Sequence, residues 1–281
     1  MMPNYTDSLM AFATLITRTA REVSTNATSH NRMNRMGEGL EDFIKDLYCN
    51  SFDLSVEQRM QKHSQTFSWL GNQNNVPDAM IYDGDAIEVK KVENIKNSVQ
   101  LNSSFPKNKL YADDTRISAG CRTCENWSER DLLYAIGQVN NSELRKLWLV
   151  YGDCYAADKE VYAAVGDTMT AGLQSLPGVT LEETNELGRV NRVDPLGITD
   201  LRVRGMWIIR SPEKVFEYFS DDLGSFANML MLTRKYESFP DSSKSQIESL
   251  TSERFRILDK AVQDPNNPAR LLPAKLFALN Q

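Results

Sequence analysis

The apolar residues of this chain repeat with two different periods, and the change between them divides it into elements. Over residues 4 to 22 and 36 to 48 they recur every three or four positions, the spacing of a helix with one buried side. In "GEGLEDFIKDLY" the apolar side is Leu40, Phe43, Ile44, Leu47 and Tyr48, and Glu38, Glu41, Asp42 and Lys45 lie opposite. "QTFSWLG" (65 to 71) predicts a short strand. Ala79 to Tyr82 and Ala86 to Val92, separated by Asp83-Gly84, predict a β-hairpin. Residues 101 to 114 are rich in turn formers and predict a loop. "SERDLLYAIGQV" and "DKEVYAAVGDTMTAGLQSL" predict helices, the second ending before Pro177, and "KLWLVYG" (146 to 152) predicts a central strand. "GRVNRVDPLGITDLRVRGMWII" runs from a polar loop into a strand. Such intermixing predicts one α/β domain over 1–215, with a polar, helical C-terminal extension over 216–281 packed on it.

Composition narrows the class only a little. The chain has 281 residues, 41% hydrophobic and 25% charged, as in an ordinary globular protein. No run of 18 apolar residues is present, and the N-terminus lacks a basic leader, so a cytoplasmic protein is expected. A net charge of −6 argues against a non-specific nucleic-acid coat but leaves room for a locally positive cleft. The four cysteines make no disulfide framework. Cys121 and Cys124 have the spacing of half a zinc site, but no second pair accompanies them.

The hairpin carries the chemistry. Folded about Asp83-Gly84, it brings Asp78 beside Glu88 or within one residue of it. Glu88 and Lys90, two apart in a strand, share a face, while Ile87 and Val89 point into a core. Two carboxylates from adjacent strands, with a main-chain carbonyl and waters, suit a hard Mg²⁺ ion. Such an ion polarises a phosphodiester and makes hydroxide available at neutral pH, and the lysine offsets charge in the transition state. A Glu-x-Lys alone is common on solvated strand faces; Pro-Asp followed after a short turn by Glu-Val-Lys in an apolar strand is more specific.

Pro77-Asp78 with Glu88-Val89-Lys90 resembles the PD-(D/E)XK nuclease signature of many type II restriction endonucleases. "GEGLEDFIKDLY", "GNQNNVPDAMIYDGDAIEVKK", "LNSSFPKNKLYADD", "ENWSERDLLYAIG" and "ELGRVNRVDPLGITDLRVRGMW" together resemble the NgoPII family of these enzymes, across roughly residues 30 to 215. The resemblance implies a mixed central sheet flanked by helices, with Asp78 and Glu88 as metal ligands and Lys90 as the catalytic lysine. It also implies Glu41 as an acidic helix residue near the metal, with Glu38 as the alternative on the same helix. The implied reaction is Mg²⁺-dependent cleavage of double-stranded DNA at a short GC-rich palindrome, GGCC, leaving 5′-phosphate and 3′-hydroxyl ends. A homodimer and a cognate methyltransferase are the implied partners.

Guanine in the major groove is read by Arg or Lys, and cytosine by carboxylates. Two segments offer such groups. The first supplies Asn102, Ser103, Ser104, Lys107, Lys109 and Arg116; the second supplies Arg189, Asn191, Arg192, Asp194, Arg202 and Arg204. Residues 186 to 210 hold five arginines against three acids, so base reading is expected there and phosphate contact from the lysines of the first segment. Arg18, Arg21, Arg32 and Arg35 form a further basic group, equally compatible with ordinary surface. Two other functions fit the same residues: a PD-(D/E)XK nuclease without a fixed target, or a DNA-binding module that no longer cuts. A third, a metabolic enzyme using the carboxylates and lysine on a small phosphate ester, finds no glycine-rich phosphate loop in the chain to support it.

Overall fold

The computed structural model describes residues 5–18, 21–23, 32–71, 76–101, 104–175, 188–203 and 205–281. Side chains of 32–38 and 188–190 lie outside that description. Three helices come first: α1 (Ser8–Thr17), α2 (Arg32–Cys49) and α3 (Val56–Thr66). The strands β1 (Phe67–Leu70), β2 (Ala79–Ile81), β3 (Ala86–Val92), β4 (Val99–Gln100) and β5 (Lys109–Tyr111) follow, then the short helix α4 (Ala119–Thr123). Next are β6 (Glu129–Asn140), β7 (Glu143–Tyr151), α5 (Gly152–Tyr155) and α6 (Lys159–Gln174). The chain continues through β8 (Gly188–Val190), β9 (Leu201–Val203), β10 (Ile208–Ile209) and α7 (Pro212–Val215). It ends with β11 (Ala227–Leu232), α8 (Thr233–Ser238), α9 (Asp241–Glu248), β12 (Phe255–Asp264) and β13 (Asn267–Leu279).

One mixed nine-stranded sheet runs β1-β2-β3-β6-β7-β11-β13-β12, with β5 paired to β6. β3 is parallel to β6 and β7 to β11; the other neighbours are antiparallel. The expected hairpin is β2-β3, and Asp83 takes the left-handed φ of 50° at its turn. Each face of the sheet carries its own core. Ile87, Val89, Leu133, Ala135 and Leu149 meet α1 and α2 on one side; Ala86, Leu132, Tyr134, Ile136 and Trp148 are buried on the other.

Two of the larger expectations fail, and a short strand, β5, lies within the loop expected over 101–114. "SERDLLYAIGQV" is not a helix but the strand β6. It is buried on both faces, so its apolar residues are continuous and lack the alternation that marks a half-buried strand. A Cβ at Gly137 would come within 2.7 Å of Leu40, so this glycine lets α2 lie directly on the strand. The C-terminal region over 216–281 is not mainly helical either: β11, β12 and β13 continue the central sheet. Leu, Lys, Ala and Arg are good helix formers, and pairing along the sheet overrides that local preference.

Two buried ionic knots hold neighbouring elements together. On α2, Asp46 accepts from Ser51 Oγ at 2.6 Å, Arg59 Nε at 2.9 Å and pairs with His63 Nε2 at 3.0 Å. Burial opposes ionisation of Asp46, but the bonds from His63, Ser51 and Arg59 outweigh it and lower its pKa. A carboxylate with a folded pKa below its unfolded value of about 3.9 adds stability that is complete above that value and is lost as pH falls through the folded one. Melting temperatures of wild type should therefore drop more steeply than those of Asp46→Asn between about pH 4 and 2; equal slopes would show that Asp46 is not the group responsible.

In the second knot Lys235 Nζ, on α8, donates to Asp85 at 2.6 Å and Asp131 at 2.8 Å. Tyr151 also donates to Asp85, at 2.6 Å, and its hydroxyl meets Ser8 of α1 at 2.5 Å. No helix among the described residues is long and apolar enough to cross a membrane.

Candidate active site

The pairing of Ala79 with Ile87 places Asp78 opposite Glu88, where the hairpin leaves its regular ladder. Asp78 is held there by its own main chain and side chain. Its N–H donates to Ile87 O at 3.0 Å, and its Oδ2 accepts from Val89 N at 2.6 Å. Glu88 is 3% exposed, and its Oε1 accepts from Lys90 Nζ at 2.6 Å. Its Oε2 is buried with no hydrogen-bond partner. A buried polar atom left without a partner is costly, and it marks a place where a further ligand would be stabilising.

The electrostatics follow from this crowding. Burial, then the charge of Glu88, push the Asp78 carboxyl up to about 8. Burial also works against the charge on Lys90, but Glu88, Asp78 and Glu41 together raise its pKa. Lys90 is therefore an ammonium at neutral pH, suited to stabilising negative charge and not to removing a proton. Glu41, on α2, is raised mainly by burial, with Lys45 opposing and with Asp42 and Glu88 adding to it. The helix thus brings Glu41 within electrostatic range of Asp78, Glu88 and Lys90, while Lys45, one turn further along, lies 3.9 Å from it. The Glu38 side chain lies outside the described residues.

Among the described residues no three His, Cys, Asp or Glu side chains form a group able to hold a metal by themselves. The donor set nevertheless fits Mg²⁺. Two carboxylates face each other, one with an unsatisfied oxygen, and Mg²⁺ ordinarily completes its shell with waters and substrate phosphate. Cys121 and Cys124, by contrast, sit at α4 with Cys124 Sγ directed to the Cys121 carbonyl.

The expected DNA-contact residues divide. Lys107 is buried and pairs with Asp114 at 2.8 Å, so it is not a surface phosphate contact. Lys109 pairs with Glu129 at 2.7 Å and Asp131 at 3.4 Å. Arg116 pairs with Asp114 and lies over the Phe105 ring. Ser104 sits in the turn that follows β4, and Asn102 and Ser103 lie outside the described residues. In the second segment, β8 and β9 form a hairpin in which Arg189 is paired with Arg202. Arg192 and Arg202 are exposed, and the Arg189 side chain and Arg204 lie outside the description. Asp194 caps the hairpin loop by accepting from Leu196 N at 2.9 Å, a folding role. Asn191 begins the same loop. Of the N-terminal basic group, Arg18 and Arg21 lie over the rings of Phe52 and Phe226, and the Arg32 and Arg35 side chains lie outside the description.

A mixed α/β sheet that opposes two carboxylates, with an ammonium bonded to one of them, has the makings of a hydrolytic centre for phosphate esters. The comparisons agree with that class. The family model for the NgoPII restriction endonuclease matches residues 6–263, and the chain belongs to this family. It is 42% identical over 259 residues to the Type II restriction enzyme NgoPII of Neisseria gonorrhoeae, covering 91% of this chain and 92% of that protein. No solved structure matches.

Proposed function

We propose that this chain is a Mg²⁺-dependent type II restriction endonuclease of the PD-(D/E)XK kind, cutting double-stranded DNA at a short GC-rich palindrome, GGCC. The observation that carries this is the Asp78–Glu88 pair with the unpartnered Glu88 Oε2 and the Lys90 ammonium beside it. Mg²⁺ held by Asp78 and Glu88 would polarise the phosphodiester and acidify a water at neutral pH. The chain's own residues do the rest. The Val89 N–H fixes the Asp78 carboxylate against β3, and Glu88 Oε1 holds the Lys90 ammonium where charge gathers on the phosphate. Glu41 adds a third carboxylate at the edge. Water adds to phosphorus and the 3′ oxygen leaves with a proton, which gives 5′-phosphate and 3′-hydroxyl ends.

Base reading falls to the hairpin with Arg189, Asn191, Arg192, Arg202 and Arg204, and backbone contact to the segment around Asn102, Ser103, Ser104 and Lys109. A palindrome is cut on both strands most simply by two copies, each with one centre. A cognate methyltransferase would shield the same sites in the cell. Digesting a long, sequenced, unmethylated DNA tests the proposal. Discrete fragments that need Mg²⁺, are absent in EDTA and end within GGCC are expected. Random ends would instead point to a nuclease without a fixed target, and intact DNA despite tight binding to an inactive DNA-binding module.

A further inference from the structure

The face of the sheet that carries Glu88 has a roof. β3 and β6 run parallel with Glu88 beside Tyr134, so the two side chains leave the sheet as neighbours. Tyr134 is 2% exposed, and its hydroxyl does not bond to Glu88. It accepts from Lys107 N at 2.7 Å and donates to Lys107 O at 3.0 Å. One side-chain atom thus holds both main-chain polar groups of a residue in the segment that follows β4. The same segment is pressed from a second side. A Cβ on Gly152 would come within 2.4 Å of Asn108 O and 2.6 Å of Lys107 O, so only a glycine at the start of α5 allows this approach. Phe105 is buried beneath the Lys107 ammonium, 4.3 Å from its ring centre. Asp114 holds that ammonium from beyond. The charge of Glu88 bears on both the Tyr134 hydroxyl and the Lys107 ammonium.

We propose that Tyr134 is a positioning residue of the carboxylate centre: its hydroxyl clamps the Lys107 main chain as a wall that shuts bulk water away from Glu88 and keeps its unpartnered oxygen available to a divalent cation. The inference rests on the proposed metal-binding role of Asp78 and Glu88. With the clamp closed, Glu88 Oε2 has neither protein nor bulk-water partner, and a metal entering beside Asp78 meets an unsolvated ligand. Removing the hydroxyl leaves the Lys107 N–H and C=O without a partner in a buried place. Those groups turn to water, the wall loosens, and the water that enters solvates Glu88 in competition with the metal. Supporting groups around metal ligands ordinarily govern affinity in this way, and their loss weakens binding by about 10- to 100-fold.

The test is binding of Mn²⁺ to the DNA-free protein, followed by electron paramagnetic resonance, for wild type, Glu88→Gln, Tyr134→Phe and Tyr155→Phe. Tyr155 packs edge-on against Tyr134 but donates its hydroxyl to the Arg210 carbonyl. It therefore controls for the loss of a buried tyrosine hydroxyl as such. Tyr134→Phe should bind Mn²⁺ about tenfold more weakly, while Tyr155→Phe binds as wild type. Equal affinity in Tyr134→Phe and wild type, or equal losses in both tyrosine variants, would overturn the inference. Wild-type binding that is lost in Glu88→Gln supports the metal-site proposal separately; no binding by wild type would sink that proposal first. Amide exchange in the wild-type protein gives a second readout that needs no variant. The Lys107 N–H should exchange more slowly once Mn²⁺ is added, and an unchanged rate would count against the wall as part of the site.

Discussion

Glu88→Gln abolishes DNA cleavage without unfolding the protein, with an expected fall in rate of about a thousandfold or more. The change keeps the shape of a side chain that is 3% exposed but removes the charge opposite Asp78 that a divalent cation would need. Stability should move the other way. An Asp78 carboxyl raised to about 8 destabilises the metal-free fold as pH rises from the unfolded value of about 4 up to 8, because the folded state holds a proton that the unfolded chain has released. Glu88 is the largest charge acting on Asp78, so the glutamine variant should lose less stability over that interval than wild type. Cleavage assays paired with thermal melts at pH 6 and pH 8 read out both effects. A variant that still cuts, or that melts far below wild type at both pH values, would make Glu88 a structural residue.

Lys235→Ala should carry the largest cost in stability. The ammonium joins Asp85, the residue before β3, to Asp131 of β6 from a helix that follows β11, 150 residues away from Asp85 in sequence. Asp85 is 7% exposed, and burial already pushes its pKa up against the opposing pull of Lys235 and the Tyr151 hydroxyl. Breaking a buried pair from one side leaves an uncompensated charge and costs roughly 3–5 kcal/mol, or about 10 °C in melting temperature for a chain of this size. Adding Asp85→Asn should recover part of the loss, since the two residues share one interaction. A thermal melt of the single and double variants decides it: additive losses, or a single-variant loss below about 1 kcal/mol, would show that the knot contributes little. The consequence for activity is indirect. Asp85 immediately precedes the strand that presents Glu88 and Lys90, so the knot anchors the chain where it enters that strand.

The hairpin of the candidate site was legible because its signals are local. A turn at Asp83-Gly84, a period of two along β3, and charges at alternate positions of an apolar strand together placed Asp78 opposite Glu88. The helix that offers Glu41 was equally plain from the spacing of Leu40, Phe43, Ile44 and Leu47. What escaped were features made by distant partners. β6 looks helical because both its faces are buried, and with it the neighbourhood of Glu88 and Tyr134 was hidden. The C-terminal strands are built from helix-favouring residues and exist because β11 pairs with β7 and β13. Lys107 carries a surface-type side chain, and only the fold shows that Asp114 and Phe105 enclose it.

The most direct test compares wild type and Lys90→Ala on one labelled duplex that holds a single GGCC site, under single-turnover conditions with Mg²⁺, with binding measured on the same duplex in Ca²⁺. Wild type is expected to cut both strands within the site and leave 5′-phosphate ends, while Lys90→Ala binds within a fewfold of wild type yet fails to cut. Cleavage by Lys90→Ala at the wild-type rate would contradict the assignment of this centre, whatever the fate of the target sequence.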